Sequence, residues 1–596
     1  MTARLLERRA LVAALRPWVD AQVLTSSDVM AAATVCQLAD EFDPLVALGA
    51  GLAVRAPRSG HVALDPFRIE EQILADVEHL DPDSVSAVLE LDWPADPTSW
   101  LARLVESPVT IGPSSPLVVE GGLIYLRRFY RQECRVADRL VKLAAASATT
   151  AGDLAPIASV LTLDQGQLAA VQRCLAGQLG VLTGGPGTGK TRTVAALLTA
   201  LLMTQQSPDV GELRIALAAP TGKAAARMGE SIAASFDLLR SSGDSSFGAA
   251  AEQLAMIDPS TIHRLLGVRG GGRFWHDAKR PLPHDVVIID EASMVSLSMM
   301  DALLDALRPG ARLVLVGDPN QLASVEAGSV LGDIATASGV IAERVTELTV
   351  SRRFPAESRI GRFAAAIRAG DVAAADQVFP DAAEGGDDGA AVLRFETDAA
   401  AVASTVVEYA RSTMVAGQAG DAPDAIDGLE RLRVLCAHRR GRAGVSYWNQ
   451  LVESSLSVGG RSVGGMYPGR PLMVTRNDAS RGLFNGDLGV VVRTDDGDRV
   501  AFGPSDPPRL VAPAHLDAVE TVHAMTIHKS QGSEFDEVVV VLPSPDSRLA
   551  TRDLLYTAVT RARVGVTLVG DRATIAAAIA RPVIRTSALR DRISDR

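Results

Sequence analysis

Along the first hundred residues apolar positions recur three and four apart, in LLERRALVAAL, FRIEEQILADVEHL and SVSAVLELDW. That spacing predicts a mostly helical region over 1–108. A turn-rich passage around SPVTIGPSSP interrupts it. The helical spacing then returns in GLIYLRRFYRQECRVADRLVKLA, which predicts one long amphipathic helix inside a connecting segment, 109–157. From about 158 short apolar runs alternate with helical stretches: GVLTG, RIALAAP, DVVIIDEA and RLVLVGD. Runs of this kind, apolar on both faces, belong to parallel sheets covered by helices. RLRVLCA, DEVVVVL and VGVTLVGD repeat the theme, so the pattern predicts an α/β chain with two lobes, 158–347 and 348–596. Inside the second lobe, GRPLMVTRNDASRGLFNGDLGVVVRTDDGDRVAF alternates β runs with turns and predicts a small antiparallel barrel at about 455–520. GVRGGGRFWHDAKRPLP predicts a hairpin at about 267–284, with Phe274, Trp275 and His276 at or near its tip. The acidic, Gly/Ala-rich passages 380–391 and 417–428 read as loops.

The chain's 596 residues are too many for one core, and 47% of them are hydrophobic, which excludes a disordered protein. No apolar run is long enough to span a bilayer, and the N-terminus reads as an amphipathic helix, not a signal peptide. Cys36, Cys134, Cys174 and Cys436 are too scattered for a zinc site or a disulfide framework, so the expected setting is the reducing cytoplasm. A net charge of −12 argues against coating nucleic acid through bulk charge. Any such binding must use a local groove. Only five lysines occur, Lys142, Lys190, Lys223, Lys279 and Lys529; three of them fall in motif-like places, although coding bias would give the same picture. Arg127, Arg128, Tyr130, Arg131 and Arg135 form either a solvated helix face or a contact for a partner or nucleic acid.

The strongest chemistry lies in GGPGTGKT, between an apolar strand and a helix. Gly184, Gly185, Pro186, Gly187, Thr188 and Gly189 let backbone N–H groups turn inward around phosphate oxygens, and the following helix aims its N-terminus at the same charge. Lys190 is placed for the β and γ phosphates, Thr191 for Mg²⁺, and Arg192 lies beside them. DVVIIDEASM ends a strand with Asp290 beside the metal and Glu291 placed to activate the attacking water. LVLVGDPNQLASV ends another strand with Gly317, Asp318 and Gln321, where a polar side chain could sense the γ phosphate.

In order, LDQGQLAAV, GGPGTGKT, APTGKAAARM, TIHRLLG, VVIIDEASM, LVGDPNQLASV, SRRF, TIHKSQGSEFD and LLYTAVTRAR resemble the motif set of superfamily-1 DNA helicases, specifically the RecD-like branch. The resemblance covers roughly residues 158–570 and implies two RecA-like P-loop lobes, with ATP and Mg²⁺ as cofactors. It implies that Gln167 recognises adenine and that Gln321 links the γ phosphate to the strand. Arg353 and Arg561 would reach that phosphate from the second lobe. Pro220, Thr221, Lys223 and His263 match DNA-side motifs. Thr526, His528, Lys529, Gln531, Gly532 and Glu534 lie in the motif that joins DNA contact to the ATP cleft. The hairpin with Phe274 and Trp275 matches a pin that splits the duplex, though an ordinary surface hairpin fits the residues as well. The β insertion resembles the SH3-like insertion of the branch.

The short helical N-terminus further implies a subunit of a RecBCD-type exodeoxyribonuclease V, with RecB and RecC as partners and single-stranded DNA and duplex ends as substrates. Polarity, 5′→3′, is implied by the resemblance alone. Glu384, Asp387 and Asp388 read as a solvated acidic loop, so nuclease activity is expected in a partner subunit. A stand-alone repair helicase and an ATP-switched assembly subunit are the rival readings; Glu291, Arg353 and Arg561 speak against the switch, which needs binding but not turnover.

Overall fold

The computed structural model describes the chain except residues 1, 77–81, 148–152, 205–212, 244–246, 271, 380–391, 459–460, 463–464, 479, 504–506 and 596. Glu384, Asp387 and Asp388 lie outside the described residues. Two parallel sheets form the body. The first runs, edge to edge, Val345–Leu348, Leu179–Gly184, Arg312–Gly317, Val286–Ile289, Ile215–Ala219 and Ser260–Thr261, with every neighbouring pair parallel. Alternate residues of each strand enter separate cores. Val181, Val287, Ile289, Leu313 and Leu315 face one layer; Leu182, Ile288, Val314 and Val316 face the other. This is why the strands read as unbroken apolar runs.

The second sheet runs Val392–Glu396, Ala562–Val569, Phe535–Val541, Leu432–Cys436 and Ala524–Thr526, again all parallel. Within this lobe, Pro471–Val474, Leu488–Val492, Arg499–Phe502, Arg509–Val511 and Val519–Thr521 form a five-stranded antiparallel sheet where the β insertion was expected.

The N-terminal region is helical, built on Trp18, Ile73, Trp100 and Leu104, and Trp100 Nε1 donates to the Leu45 carbonyl at 2.9 Å. Several local expectations need correction. Residues 123–126 are a strand paired with Leu117–Glu120, and the helix begins only at Arg127, running to Ala145. Arg128, Arg131 and Arg135 are exposed, as a solvated face requires, but three of the helix's arginines are also engaged within the chain. Arg127 and Arg131 donate to main-chain carbonyls at 112–117, and Arg135 grips Asp301 of the first lobe with two bonds of 2.9 and 2.5 Å. The passage 417–428 is helical, spanning the end of Ala399–Ala419 and the start of Ala422–Arg431.

One long-range feature had no local signal. After the helix Arg572–Ala580 of the second lobe, the chain crosses back as a strap to the first. The Thr586 carbonyl accepts from Val62 N at 2.9 Å. The terminal helix Leu589–Ser594 then buries Leu589 and Ile593 in the first lobe's core, each stabilising by roughly 2 kcal/mol. Arg592 Nε pairs with the fully buried Glu133 at 2.8 Å, and its Nη2 with Glu120 at 3.1 Å.

Candidate active site

Register places the candidate residues together. Thr183 lies opposite Gly317, Ile289 opposite both Leu315 and Ala218, and Ala219 opposite Thr261. The P-loop, Asp290, Thr221 and the Asp318–Gln321 loop therefore all leave the first sheet at its carboxyl edge, where open parallel sheets bind ligands.

The P-loop is a nest of inward amides. Gly187 (φ +77°) and Gly189 (φ +82°) hold left-handed conformations that L side chains rarely adopt. Lys190 opens the helix Lys190–Thr204, and its Nζ donates to the carbonyls of Gly184 at 2.8 Å and Gly185 at 3.1 Å. Thr188 Oγ1 donates to Gly185 O at 2.8 Å, and Arg192 reaches the Leu161 carbonyl at 3.4 Å. Gln167 is fully buried beneath the loop. Its Nε2 donates to Thr188 O at 3.1 Å, and its Oε1 closes a capping box with Asp164. In this structure Gln167 supports the loop rather than presenting an open amide to a base.

Asp290 and Glu291 follow the strand Val286–Ile289 directly. Burial, and then the adjacent charge of Glu291, push the Asp290 carboxyl up to about 7, while the Glu291 N–H bond and Lys190 oppose the shift. Glu291 sits at φ +50°, a left-handed conformation unusual for a non-glycine residue and of the kind that collects at functional sites. A carboxylate held this close to neutrality by burial, and next by a like charge, suits a divalent cation. The donor set of Thr191 and Asp290 therefore fits Mg²⁺.

The second lobe closes on this face. Ser351 Oγ donates to Pro186 O at 3.1 Å and Arg352 N to Gly187 O at 2.9 Å, so the SRRF segment lies on the P-loop. A methyl group built on Gly187 would come within 2.4 Å of Arg353 Cβ, which leaves glycine as the residue that fits. Arg353 Nη2 pairs with Glu534 at 2.6 Å, while its Nη1 is buried and makes no hydrogen bond. Arg561 is 3% exposed. Its Nη2 donates to Gln321 Oε1 at 2.9 Å, its Nε to Thr557 O at 3.1 Å and its Nη1 to Ser533 O at 3.3 Å. Burial disfavours the Arg561 charge, and Glu291 and Glu534 counter it. For Glu534, burial would raise the carboxyl, but Arg353, Arg227 and Arg561 outweigh it and hold the group below its ordinary value. Gln321 Nε2 reaches Asp318 at 3.3 Å, and Gln531 Nε2 donates to Leu322 O at 2.8 Å. Lys190, Asp290, Glu291, Gln321, Arg353, Arg561, Gly532 and Glu534 thus share one seam.

Three seam residues were not singled out from sequence. The Tyr556 hydroxyl bonds Asp318 and lies 2.9 Å from where a Gly185 Cβ would stand. Arg227 donates to Gly532 O at 3.0 Å, and Arg352 to Thr162 O at 2.8 Å. Tyr556 stands inside the quoted LLYTAVTRAR; nothing in that string reveals that its ring faces the other lobe.

The candidate DNA residues separate into groups. Pro220 precedes the cap residue Thr221, whose Oγ1 accepts from Ala224 N at 3.2 Å. A Gly532 Cβ would lie 3.9 Å from that Oγ1, so the two DNA-side motifs meet across the seam. Burial first and Arg227 next push Lys223 down to about 8, against Glu430 and Asp487 of the second lobe. His263 is exposed with its ring 6.0 Å from Phe274. Thr526 is buried and caps the turn at Ile527–Ser530, accepting from Lys529 N at 3.3 Å, so it shapes the loop from inside. Lys529 pairs with Glu520 and does not project freely.

The hairpin exists, Val268–Arg269 against Arg273–Phe274, so Arg269 and Arg273, with Gly270 and Gly272 beyond them, stand nearer the turn than the aromatics do. Phe274 packs on the first lobe's core. Trp275 stands at the base, between Arg269 at 3.7 Å and Arg280 at 4.6 Å from the ring centroid, its N bonded to Gly267 O at 2.7 Å. His276 likewise follows the second strand, its N bonded to Leu266 O at 3.0 Å. The expectation of aromatics at the tip is corrected: the apolar side chains anchor the hairpin rather than crown it.

Comparison with known proteins agrees with this geometry. Residues 20–125 match the RecBCD enzyme subunit RecD N-terminal domain, 162–383 an AAA domain and 521–569 the UvrD-like helicase C-terminal domain. RecBCD enzyme subunit RecD of Mycolicibacterium smegmatis is 44% identical over 580 residues, covering 96% of this chain and 98% of that protein. The chain belongs to the RecD family. Its counterpart in Mycobacterium tuberculosis H37Rv is 42% identical over 97% of this chain and 96% of that protein. The ATP-dependent RecD2 DNA helicase of Deinococcus radiodurans is 31% identical over 78% of this chain and 57% of that protein. Among solved structures, Pif1 helicase from Candida albicans aligns over 69% of this chain and 95% of that chain at 18% identity and TM-score 0.38, too slight a likeness to argue from. Among the described residues no helix is long and apolar enough to cross a membrane.

Proposed function

We propose that this chain is an ATP-driven DNA helicase of 5′→3′ polarity, working in the cytoplasm with RecB and RecC as one subunit of a RecBCD-type exodeoxyribonuclease V. The observation that carries the reading is the placement of Arg353 and Arg561 of the second lobe against the P-loop and Gln321 of the first. Two cations from one lobe and the nest of amides from the other converge where a γ phosphate would sit. The unbonded Nη1 of Arg353 is a donor suited to that oxygen. Arginine fingers contribute about 10³–10⁵-fold to phosphoryl transfer.

Thr191 and Asp290 would hold Mg²⁺, which supplies positive charge for the β and γ oxygens. The P-loop amides and Lys190 bind and orient the phosphates. Glu291 orients the attacking water and accepts its proton at a carboxylate oxygen. Arg353 and Arg561 stabilise charge spreading over the γ oxygens, and the closed seam excludes bulk water. Loss of the γ phosphate removes the anion held by Lys190 on one lobe and by Arg353 and Arg561 on the other, so the hold on closure weakens. Pro220, Thr221, Lys223 and His263 on one lobe and His528 on the other, joined by Lys529 once a phosphate displaces Glu520, would carry a strand, so opening and closing becomes a step along it. The reading divides the chain into a helical N-terminal region that docks a partner, two motor lobes with a pin hairpin in the first, and an SH3-like insertion in the second.

Strand-displacement assays on duplexes with 5′ or 3′ single-stranded tails, with and without RecB and RecC, test the proposal. The expected result is ATP-dependent unwinding from the 5′ tail and co-elution with both partners. Unwinding only from the 3′ tail contradicts the polarity. DNA-independent ATP turnover with no displacement contradicts the motor.

A further inference from the structure

A cavity of about 450 Å³ opens where four distant segments meet: residues 58–72 of the N-terminal region, the loop after Gln321, the second lobe at 528–554 and the strap at 581–586. Arg58, Arg68, Arg548, Arg581 and Arg585 line it, with His528 beside them. In a chain of net charge −12, five guanidiniums around one cavity are a marked local departure. Their charges are not all matched. Arg58 pairs with Asp28 at 2.7 Å and Arg68 with Glu71 at 2.9 Å. Arg581, which is exposed, donates to the carbonyls of Ser547 at 2.8 Å and Ala550 at 3.3 Å. Carbonyl oxygens fix the guanidinium's position but leave its formal charge uncompensated. Arg585 donates to the carbonyls of Gly60 at 3.1 Å and Glu326 at 3.2 Å. Asp553, also in the lining, is pushed up to about 7 by burial despite Arg552 and Arg585, so at neutral pH it offsets only about half of one positive charge.

The lining also carries apolar side chains, Leu322, Val325 and Ile584 among them. Fixed cations and apolar side chains in one cavity suit a ligand that carries both phosphates and flat bases. The place is also mechanically sensitive. Leu322 N donates to Thr557 Oγ1 at 2.9 Å, and the Leu322 carbonyl accepts from the Gln531 amide at 2.8 Å, so this part of the lining is tied to both lobes next to the γ-phosphate sensor.

We propose that this cavity seats the sugar–phosphate backbone of the single strand the motor tracks, so that the N-terminal region and the C-terminal strap hold DNA together with the two lobes. The proposal rests on the helicase reading above and extends it to Arg58, Arg68, Arg548 and Arg581, none of which lies in a helicase motif. It gives the strap a role: it carries Arg581 and Arg585 to the seam from the end of the chain.

The test measures anisotropy of a labelled oligo(dT) bound to the full chain without nucleotide, over a series of salt concentrations. Each phosphate contact on a single strand contributes about 0.7 to the slope of log affinity against log salt. Arg68→Gln with Arg581→Gln is expected to lower that slope by about 1.4 and to weaken binding on the order of tenfold at low salt. Arg68→Lys with Arg581→Lys, which keeps both charges, is expected to restore most of the slope and controls for folding. A glutamine pair with unaltered slope and affinity overturns the proposal. Inorganic pyrophosphate is the second probe. If it raises the melting temperature of the wild-type chain but not of the glutamine pair, while oligo(dT) binding is unaffected, the cavity is a small-anion site and the proposal falls. If the wild-type chain binds no oligo(dT) under any condition, the helicase reading itself fails.

Discussion

Arg561 of the second lobe and Gln321 of the first are joined by a 2.9 Å hydrogen bond buried in the seam, although 240 residues separate them. The bond links the guanidinium offered to the γ phosphate with the side chain that would sense it. Both groups also hold their own lobe's backbone or loop, through Thr557 and Ser533 on one side and Asp318 on the other. Any change in what the arginine touches is therefore passed to the sensor loop.

Arg561→Lys should lower DNA-stimulated kcat for ATP by about 10³-fold while KM shifts little. One ammonium cannot satisfy Thr557, Ser533 and Gln321 and still present a planar fork to the phosphate. Steady-state ATPase with saturating oligonucleotide checks this; a loss under tenfold would contradict it.

Lys190→Gln should reduce hydrolysis by at least about 10³-fold and abolish unwinding, because the only ammonium in the P-loop nest is gone. Its bonds in this structure run only to two carbonyls of the P-loop itself, so the fold should persist without them. Melting curves alongside ATPase rates separate the two effects.

Tyr556→Phe removes a hydroxyl that bonds Asp318 and abuts Gly185. A hydrogen bond to a charged group contributes about 1.5–3 kcal/mol, so coupling between DNA binding and turnover should fall roughly tenfold or more. The measured quantity is the ratio of ATPase rates with and without oligonucleotide. An unchanged ratio would remove Tyr556 from the coupling path.

The pH dependence of stability should carry the signature of Asp553. Its folded value, about 7, lies above the ordinary carboxylate value of 3.8, with burial the main cause. The folded state therefore holds its proton more tightly than the unfolded state, and the native chain loses stability as pH rises from about 4 to about 7. Asp553→Asn should melt higher than wild type at pH 8, and the advantage should fade towards pH 4. A constant difference across that range would contradict the assignment.

Trp275→Ala should loosen the hairpin base, where Arg269 and Arg280 flank the ring. Duplex unwinding should fall several-fold while ATPase on single strands stays within about twofold, as cation–π contacts of this kind contribute about 1 kcal/mol each. Parallel displacement and ATPase assays read this directly.

What the sequence disclosed and what it hid follow from range. The P-loop was legible because glycines, lysine and helix start are contiguous, and the sheets because strands buried on both faces leave uninterrupted apolar runs. Asp290 could be placed because it directly follows a strand, and Lys190 and Gln321 because each lies in a loop motif a few residues beyond one. The role of Arg135 could not, because its partner Asp301 lies 166 residues away. Trp275 read as a tip residue because its string is aromatic between glycine and turn signals; only the register of Val268 against Phe274 shows the turn to lie beyond Arg269 and Arg273. Lys529 read as a DNA contact, and its pairing with Glu520 depends on a strand of the β insertion. The strap was invisible for the same reason: Leu589 and Ile593 are a short apolar pair whose burial site belongs to the other lobe.

The central claim is that both lobes close on one triphosphate. A structure of the chain with Mg·ADP and aluminium fluoride at the γ position tests it most directly. The account predicts the fluoride held by Lys190 and the P-loop amides from one side and by Arg353 and Arg561 from the other. Arg353 and Arg561 both turned away from the fluoride, beyond hydrogen-bonding range in a fully loaded site, would contradict it.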